Sequence, residues 1–475
     1  MQHSITAQAQ AKEVSQKDTY RLIIFDPAGT GILLESRGSE YRLPKIEIPA
    51  GQRIARFITS ATKRMWGLDA ICLFGSNTEP NNKETQPPIP ASYQLLETRN
   101  PHWVPPCGFE WRKEEIFLGM GARDDIDAAI AERSLRLAGA YDAGSVPGVF
   151  GRRGWVDKLI KWMQPHLNRR GECLTGSYQQ FNASPFSTLI RFDTTQGAVW
   201  FKAFDPSNLV GFRITPVVAA LHPTHVPEVL ATHQEWNGLL ISDVGGQRLD
   251  EASSFDNWRS ALSAMACMQL EDTKRTNQLI ERGFKDRRFP AVLERIDPFF
   301  ELMGDVMSRQ PNCPPRMLTS VDLRNLATMC KRVCHRLMNS RIPSSLVHGD
   351  VGPHNVLISK DGPVFIDWSE ASVSHPFLFC EYMLEFAEKG HADLASHKEE
   401  LRSVYSEPWK VFLKEREISD AFQLTPMVAP FFSALDVAAR IDMRANKSSP
   451  YDKYLRSLVR LIHRRITEAH AMELA

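Results

Sequence analysis

Neither sign of charge is in excess in this sequence: 57 Lys and Arg stand against 56 Asp and Glu, a formal net charge of +1. With no basic tract beyond the pairs Arg152-Arg153, Arg169-Arg170 and Arg464-Arg465, the balance argues against nucleic acid as an electrostatically driven partner. Eight cysteines in 475 residues are too few for a disulfide framework, and a reducing cytoplasm suits them. Cys330 and Cys334, followed by His335, share one helix face, but no second ligand pair follows. Buried small side chains are expected there rather than a metal site. No apolar run approaches the length of a membrane span. Residues 1–18 are polar, lack the apolar core of a signal peptide, and are expected to be disordered. The sequence also has no Gly-x4-Gly-Lys-Ser/Thr phosphate loop, no Gly-x-Ser-x-Gly elbow and no His-Glu-x-x-His zinc helix. The pairs Gly29/Gly31 and Gly119/Gly121 lack the third glycine of a dinucleotide loop and read as turns. A cytoplasmic protein without nucleic-acid or membrane partners is expected, and nothing in the sequence speaks to its oligomeric state.

What is present is a soluble globular composition, 43% hydrophobic and 24% charged, over a length that predicts two or three domains. One stretch organises the rest: Leu346-Val347-His348-Gly349-Asp350-Val351-Gly352-Pro353-His354-Asn355, then Val356-Leu357-Ile358 and Val364-Phe365-Ile366-Asp367-Trp368. It reads as a short apolar strand, a polar loop and a hairpin whose turn is Ser359-Lys360-Asp361-Gly362. The hairpin returns the chain to where it left, so Asp367 arrives beside Asn355, with Asp350 at the head of the same loop. Hard oxygen donors of this kind suit Mg²⁺, which keeps several waters and leans on substrate phosphates. The remaining aspartate is free to accept a proton from a hydroxyl. That is an inventory for phosphoryl transfer.

The spacing Asp350-x4-Asn355, followed by Asp367-Trp368, resembles the catalytic and metal-binding segments of the aminoglycoside phosphotransferase and choline kinase family, relatives of the protein kinases. The resemblance implies an α+β fold whose kinase-like domain is bilobal, with a β-rich N-lobe over 155–245 and a helical C-lobe over 246–475. It implies ATP and Mg²⁺ as cofactors and a small hydroxyl-bearing substrate. Asp350 is then the catalytic base, Asn355 and Asp367 the Mg²⁺ ligands, and His348 a brace of the catalytic loop. Strands are expected over 186–192 and 198–204. The second holds Lys202 between Trp200 and Phe204, where an ammonium needs a partner. The resemblance makes it the strand lysine that grips the α/β-phosphates; the alternative is a lysine snorkelling off an edge strand. Residues 177–187 are expected as the loop over the phosphates, with Ser184 or Ser187 as contacts. Residues 239–244 are expected as a strand leading into the interlobe hinge, where backbone groups of Ser242, Asp243 and Val244 bond adenine. The expected helix 208–221 has no acidic residue, although the family pairs its strand lysine with a glutamate there. From Asp250 the chain is mainly helical, with helix-period apolar faces over 258–270, 317–338 and 451–469. Asp286-Arg287-Arg288, the acids of 381–388, Asp436 and Asp442 are either acceptor-side contacts or solvated polar faces.

Nearer the N-terminus, strands over 20–25 and 31–35, a loop over 43–51, a helix over 53–65 closed by Gly67, and an apolar stretch 68–73 resemble the Nudix hydrolase fold. Aligned on Gly67-Leu68, Gln52 replaces the early glutamate of a Nudix box. Ser60-Ala61 replaces its Arg-Glu pair, and Arg64 and Met65 its paired glutamates. The resemblance implies a degenerate Nudix-like domain over 19–138 without metal carboxylates; an unrelated small α+β domain is the alternative. Strands at 93–98, 103–104 and 114–118, an exposed loop over 76–90 and a helix over 124–137 complete it. The glycine-rich stretch 139–154 is expected as a linker. The function expected is ATP- and Mg²⁺-dependent phosphotransfer to a small-molecule hydroxyl. The alternative is a catalytically weak or inactive nucleotide-binding regulatory module.

Overall fold

The run Leu22-Ile23-Ile24-Phe25 has no polar alternation, as befits a strand buried on both faces. In the computed structural model it ends strand β1, Lys17–Phe25. The structure describes residues 17–38, 40–49, 52–76, 91–113, 125–252, 254–390, 394, 396–439, 449 and 451–473. Residues 1–16, most of the loop 76–90, the expected strand at 114–118 and Asp442 lie outside them. The chain forms two compact units, Met1–Phe212 with Glu228–Asp243, and Arg213–Pro227 with Val244–Ala475.

The first unit begins with β1, β2 (Gly31–Arg37), β3 (Glu40–Arg42), β4 (Lys45–Pro49), β5 (Ala70–Gly75), β6 (Ser92–Thr98) and β7 (Phe109–Lys113). They make a seven-stranded sheet of order β3-β2-β1-β6-β5, with β4 also pairing β1 and β7 pairing β2. β1 and β6 are parallel. Alternate side chains of β1 serve two cores, Ile23 and Phe25 in one and Tyr20, Leu22 and Ile24 in the other. Helix α1 (Ile54–Trp66) closes the latter with Ala55, Ile58 and Ala61. It stops at Gly67, whose left-handed φ of 63° lets its N–H reach Lys63 O at 2.9 Å. α1 contains no acidic residue. The expected strand at 103–104 is instead a loop: the Trp103 indole donates to Trp66 O at 2.9 Å, and a ring so anchored does not need a ladder.

Helices α2 (Asp125–Asp142) and α3 (Trp155–Asn168) lead to a second sheet. Its strands β8 (Leu174–Ala183), β9 (Thr188–Thr194), β10 (Gly197–Ala203), β11 (Val229–His233) and β12 (Gly238–Ser242) run in the order β11-β12-β10-β9-β8, and every pairing is antiparallel. One core joins both sheets, from Ile23, Phe74 and Tyr93 through Tyr141, Phe150 and Trp155 to Phe192, Phe201 and Leu240. Within 139–154 the chain finishes α2, makes a 3-10 turn over Val149–Gly151 and buries Phe150. Helix α4 (Val210–Leu221) carries the chain out of this unit.

The second unit is mainly helical: α5 (Phe255–Asp272), α6 (Thr276–Glu281), α7 (Phe289–Ser308), α8 (Ser320–Met338), α9 (Phe377–Gly390), α10 (Lys398–Ser406), α11 (Glu415–Ala438) and α12 (Asp452–Glu473). Ser254 caps α5 by accepting from Asn257 N, and Thr319 with Asp322 forms a capping box on α8. Cys330 and Cys334 are buried on α8, and all eight cysteines are free. One expectation is corrected: α11 is long and apolar enough to cross a membrane by length and composition. Its Ile418, Phe422, Val428, Phe431 and Leu435 are instead buried in this unit. Two small sheets complete the unit. β13 (Gln247–Arg248), β16 (Val356–Ser359) and β17 (Gly362–Phe365) form one; β14 (Lys285–Asp286), β15 (Ser345–Val347) and β18 (Ser372–Ser374) form the other.

Candidate active site

β15 is buried throughout and delivers the chain to His348. The polar loop follows, then a 3-10 turn over Pro353–Asn355, and then the β16–β17 hairpin in the register Val356↔Phe365 to Ser359↔Gly362. Its turn is sealed by Ser359, whose hydroxyl donates to Gly362 O at 2.9 Å and accepts from Asp361 N at 3.1 Å. One step beyond the ladder, Ile366 N donates to Asn355 O at 2.9 Å, which sets Asp367 next to Asn355. The Asn355 amide donates to Asp350 O at 2.8 Å. Asp350, Asn355 and Asp367 thus come together as the sequence pattern predicts.

Asp367 has φ 62° and ψ 65°. This left-handed conformation costs a residue with a Cβ roughly 1–2 kcal/mol and marks a place where the surroundings impose geometry. The constraints are visible. Ser369 Oγ donates to Asp367 Oδ1 at 2.6 Å, and the wholly buried Trp368 donates its indole N–H to Phe365 O at 3.0 Å. His348, also buried, donates from Nε2 to Ile366 O at 2.8 Å and lies 4.5 Å from the Trp368 ring. His348 therefore ties the head of the loop to the residue before Asp367.

The donor set fits Mg²⁺. With its amide nitrogen bonded to Asp350 O, the Asn355 side chain offers its carbonyl oxygen, and Asp367 offers a carboxylate. Two hard oxygens leave positions for water and phosphate, as this ion prefers. Among the described residues no group of three or more His, Cys, Asp or Glu could hold a metal, so no all-protein cage competes with this pair.

Beside the loop lies a charged cluster that the sequence reading did not assemble. Lys285 donates to Glu370 Oε2 at 2.6 Å and to Asp436 Oδ1 at 2.9 Å. Arg287 pairs with Asp436 and donates to Phe432 O at 3.0 Å. These partners lie 85 to 151 residues apart in sequence, beyond the reach of any periodicity. Tyr382 donates to Ala429 O at 3.0 Å, and burial pushes its hydroxyl pKa up to about 12. Burial also raises that of Tyr454, helped by the charges of Tyr382, Glu385 and Asp350. Among the described residues, the acids read as candidates have cationic partners: Glu381 meets Arg402 at 2.9 Å, Glu385 meets Arg465 at 3.5 Å, and Glu388 meets Lys398 at 2.5 Å. Asp286 pairs with Arg288 at 2.7 Å.

In the first unit, Lys202 lies on β10, flanked by β9 and β12, with Leu189 and Leu239 as its register partners. An edge-strand lysine is thereby excluded. Val199, Phe201 and Ala203 enter the core, while the Lys202 ammonium stands 5.1 Å from the Phe204 ring. The expected phosphate loop is corrected: residues up to Ala183 belong to β8, so only 184–187 form the turn. Ser184 closes that turn by accepting from Phe186 N at 3.2 Å and Ser187 N at 2.9 Å. At the end of β12, Ser242 N donates to Glu228 O at 2.9 Å and Asp243 N to Ala198 O at 3.2 Å. The Asp243 carboxylate accepts from Arg191 Nε at 3.2 Å. Both N–H groups serve the sheet.

Comparison with known proteins bears on the same segment. Residues 212–378 match the model of the phosphotransferase enzyme family, about a third of the chain. The matched residues include His348, Asp350, Asn355, Asp367, Lys285 and Glu370, whereas Lys202 and Ser187 precede them. No curated protein matches the chain. Solved structures similar to it include choline kinase from Cryptosporidium parvum Iowa II, at 13% identity over 67% of this chain and 97% of that one, with a TM-score of 0.48. A putative aminoglycoside phosphotransferase from Ralstonia eutropha JMP134 is 14% identical over 66% and 98%, with a TM-score of 0.44. An ethanolamine kinase from Plasmodium vivax is 13% identical over 62% and 82%, with a TM-score of 0.42.

Proposed function

We propose, for a chain whose residues 212–378 match the phosphotransferase enzyme family, that it is an ATP- and Mg²⁺-dependent kinase of a small hydroxyl compound. The chain is a small-molecule kinase; its nucleotide, its metal and the roles of its residues are our reading. The observation that supports it most is the convergence of Asp350, Asn355 and Asp367 through the Asn355–Asp350 and Ile366–Asn355 hydrogen bonds. Asp350 orients the acceptor hydroxyl and takes its proton as the oxygen attacks the γ-phosphorus of ATP, the bond from that phosphorus to the bridging oxygen breaks, and ADP leaves. Asn355 and Asp367 hold Mg²⁺, which when bound neutralises charge on the β- and γ-phosphates. His348 keeps the loop in register with the metal-binding turn. Lys202 is assigned the α/β-phosphates, the 184–187 turn with Ser187 a phosphate contact, and the Ser242–Val244 backbone the adenine. The bilobal architecture and the degenerate Nudix-like character of residues 19–138 belong to the same proposal. The absence of any acid on α4 favours a second reading, a nucleotide-binding regulatory module that does not turn over.

Thermal stabilisation by ATP with and without Mg²⁺ tests this. A ligand at a hundred times its Kd stabilises the folded state by about 2.7 kcal/mol, a shift of several degrees in Tm. Wild type is expected to show a Mg²⁺-dependent shift that Asp367→Ala loses. Asp350→Ala is expected to keep the shift while turnover falls by about 10²–10⁴-fold. A wild-type protein that shifts with Mg²⁺–ATP yet consumes none with any acceptor supports the regulatory reading. No shift at all would overturn both.

A further inference from the structure

We propose that Lys285 is a positioning residue for the metal-binding turn, an inference that rests on the phosphotransferase reading above. A left-handed aspartate persists only where its surroundings over-determine it. The turn holding Asp367 runs on through Trp368–Glu370 into β18. β18 is braced along its backbone by β14, in the parallel register Lys285↔Ser372 and Asp286↔Val373. Arg287 N donates to Val373 O at 2.9 Å and Ser374 Oγ to Arg287 O at 3.2 Å. These bonds fix the strand after the turn. The turn itself is caught by the Lys285 side chain, whose ammonium meets Glu370 Oε2 at 2.6 Å and Asp436 Oδ1 of α11 at 2.9 Å.

Three features make this a clamp rather than a surface pair. Glu370 is only 15% exposed and Asp436 20%, so their charges are poorly screened. Arg287, 6% exposed, donates to the same Asp436 Oδ1 and is itself tied to Phe432 O, so the anchor is fixed by a second cation. The backbone oxygen of Glu370 lies against Gly349, where an added Cβ would come within 2.1 Å of it. Any movement of Glu370 is thus felt at the loop that carries Asp350. In this proposal Lys285 acts through Glu370. Outer partners of this kind orient metal ligands, and losing one typically weakens the metal by 10–100-fold.

The probe is Mn²⁺ in the presence of ADP on the full-length protein, with free Mn²⁺ read by electron paramagnetic resonance. Lys285→Met is expected to weaken Mn²⁺ in the ternary complex by about 10–100-fold while leaving metal-free ADP binding unchanged. Lys285→Arg, which keeps the charge, is expected to restore most of the affinity. Glu370→Gln removes the anion that Lys285 grips without changing its shape, and is expected to weaken Mn²⁺ in the same direction. It decides the matter if Lys285→Met does not fold. Wild-type Mn²⁺ affinity in both variants would overturn the clamp and leave the phosphotransferase reading standing. Failure of the wild type to bind Mn²⁺ with ADP would remove the metal site and this inference together.

Discussion

At Gly349 a single hydrogen stands where a side chain cannot. Its φ is 79°, and a Cβ would meet the backbone oxygen of Glu370 at 2.1 Å. Because that neighbour is main chain, no rotamer change relieves the clash, and Gly349→Ala must displace either the catalytic loop or the turn behind Asp367. The variant is expected to lose about 1–3 kcal/mol of stability, measured by urea unfolding, and to lose the Mg²⁺-dependent ATP shift. A wild-type shift in Gly349→Ala would show that the loop and the turn are not mechanically joined. Gly362, with φ 116° and open space where its Cβ would point, offers the contrast, since alanine there meets only backbone strain. The residues of this loop were legible because a hairpin makes their convergence a matter of local spacing. The need for glycine at 349 was not, because it comes from a packing partner across the loop.

At the scale of elements, β18 and α9 meet at His375. It is buried between Phe289 and Phe377, each ring centroid 5.7 Å away, and among the described residues neither ring nitrogen has a hydrogen-bond partner. Burial pushes its pKa down to about 3. The unfolded chain takes up a proton near pH 6.5, and the folded chain does not until about pH 3. Stability from this group is therefore complete above the unfolded value and falls with pH between the two, by about 1.4 kcal/mol per pH unit. Between pH 7 and 5 the wild type is expected to lose roughly 2 kcal/mol more than His375→Leu. The variant should also be more stable at pH 7 by about 1 kcal/mol, since it buries no unsatisfied polar group. Equal pH slopes by chemical denaturation would show that the imidazole is hydrated in solution. Elements with regular periodicity were legible: α1, α5, α8 and α12 lie within a few residues of expectation. β8 was not, because Thr175-Gly176-Ser177 and Gln179-Gln180 give an edge strand no apolar alternation, and it is defined by pairing with β9 rather than by composition. Trp103 misled in the opposite sense, a strand-favouring residue held in a loop by one indole hydrogen bond.

For the molecule as a whole, the sequence suggests a cut at 139–154, where glycines accumulate, yet packing in the first unit runs through it. Trp155, Val156, Leu159, Met163 and Leu167 of α3 share a core with Ile23, Phe74 and Tyr93 of the first sheet and with Phe192 and Phe201 of the second. Polar contacts follow the same line. Arg99 grips Asp157, Gly154 N donates to the Glu97 carboxylate at 3.0 Å, and Gln180 of β8 bonds Cys72 of β5 at both N (2.8 Å) and O (3.0 Å). A side-chain amide that satisfies both backbone groups of an opposing strand acts as one rung of a ladder. Gln180→Ala should leave that N–H and C=O without partners and cost about 1–3 kcal/mol, read as a lower urea midpoint. The larger test is a fragment of residues 155–475. It keeps the second sheet but strips the apolar cover from Trp155, Phe192 and Phe201, and exposed apolar area of that kind drives aggregation. It is expected to be insoluble alone and to be rescued by co-expression with residues 1–154. A soluble fragment that melts cooperatively would make the glycine-rich stretch a true boundary. An insoluble one would mean that the N-terminal sheet is a wall of the core on which the second sheet rests, whatever the composition of the stretch between them.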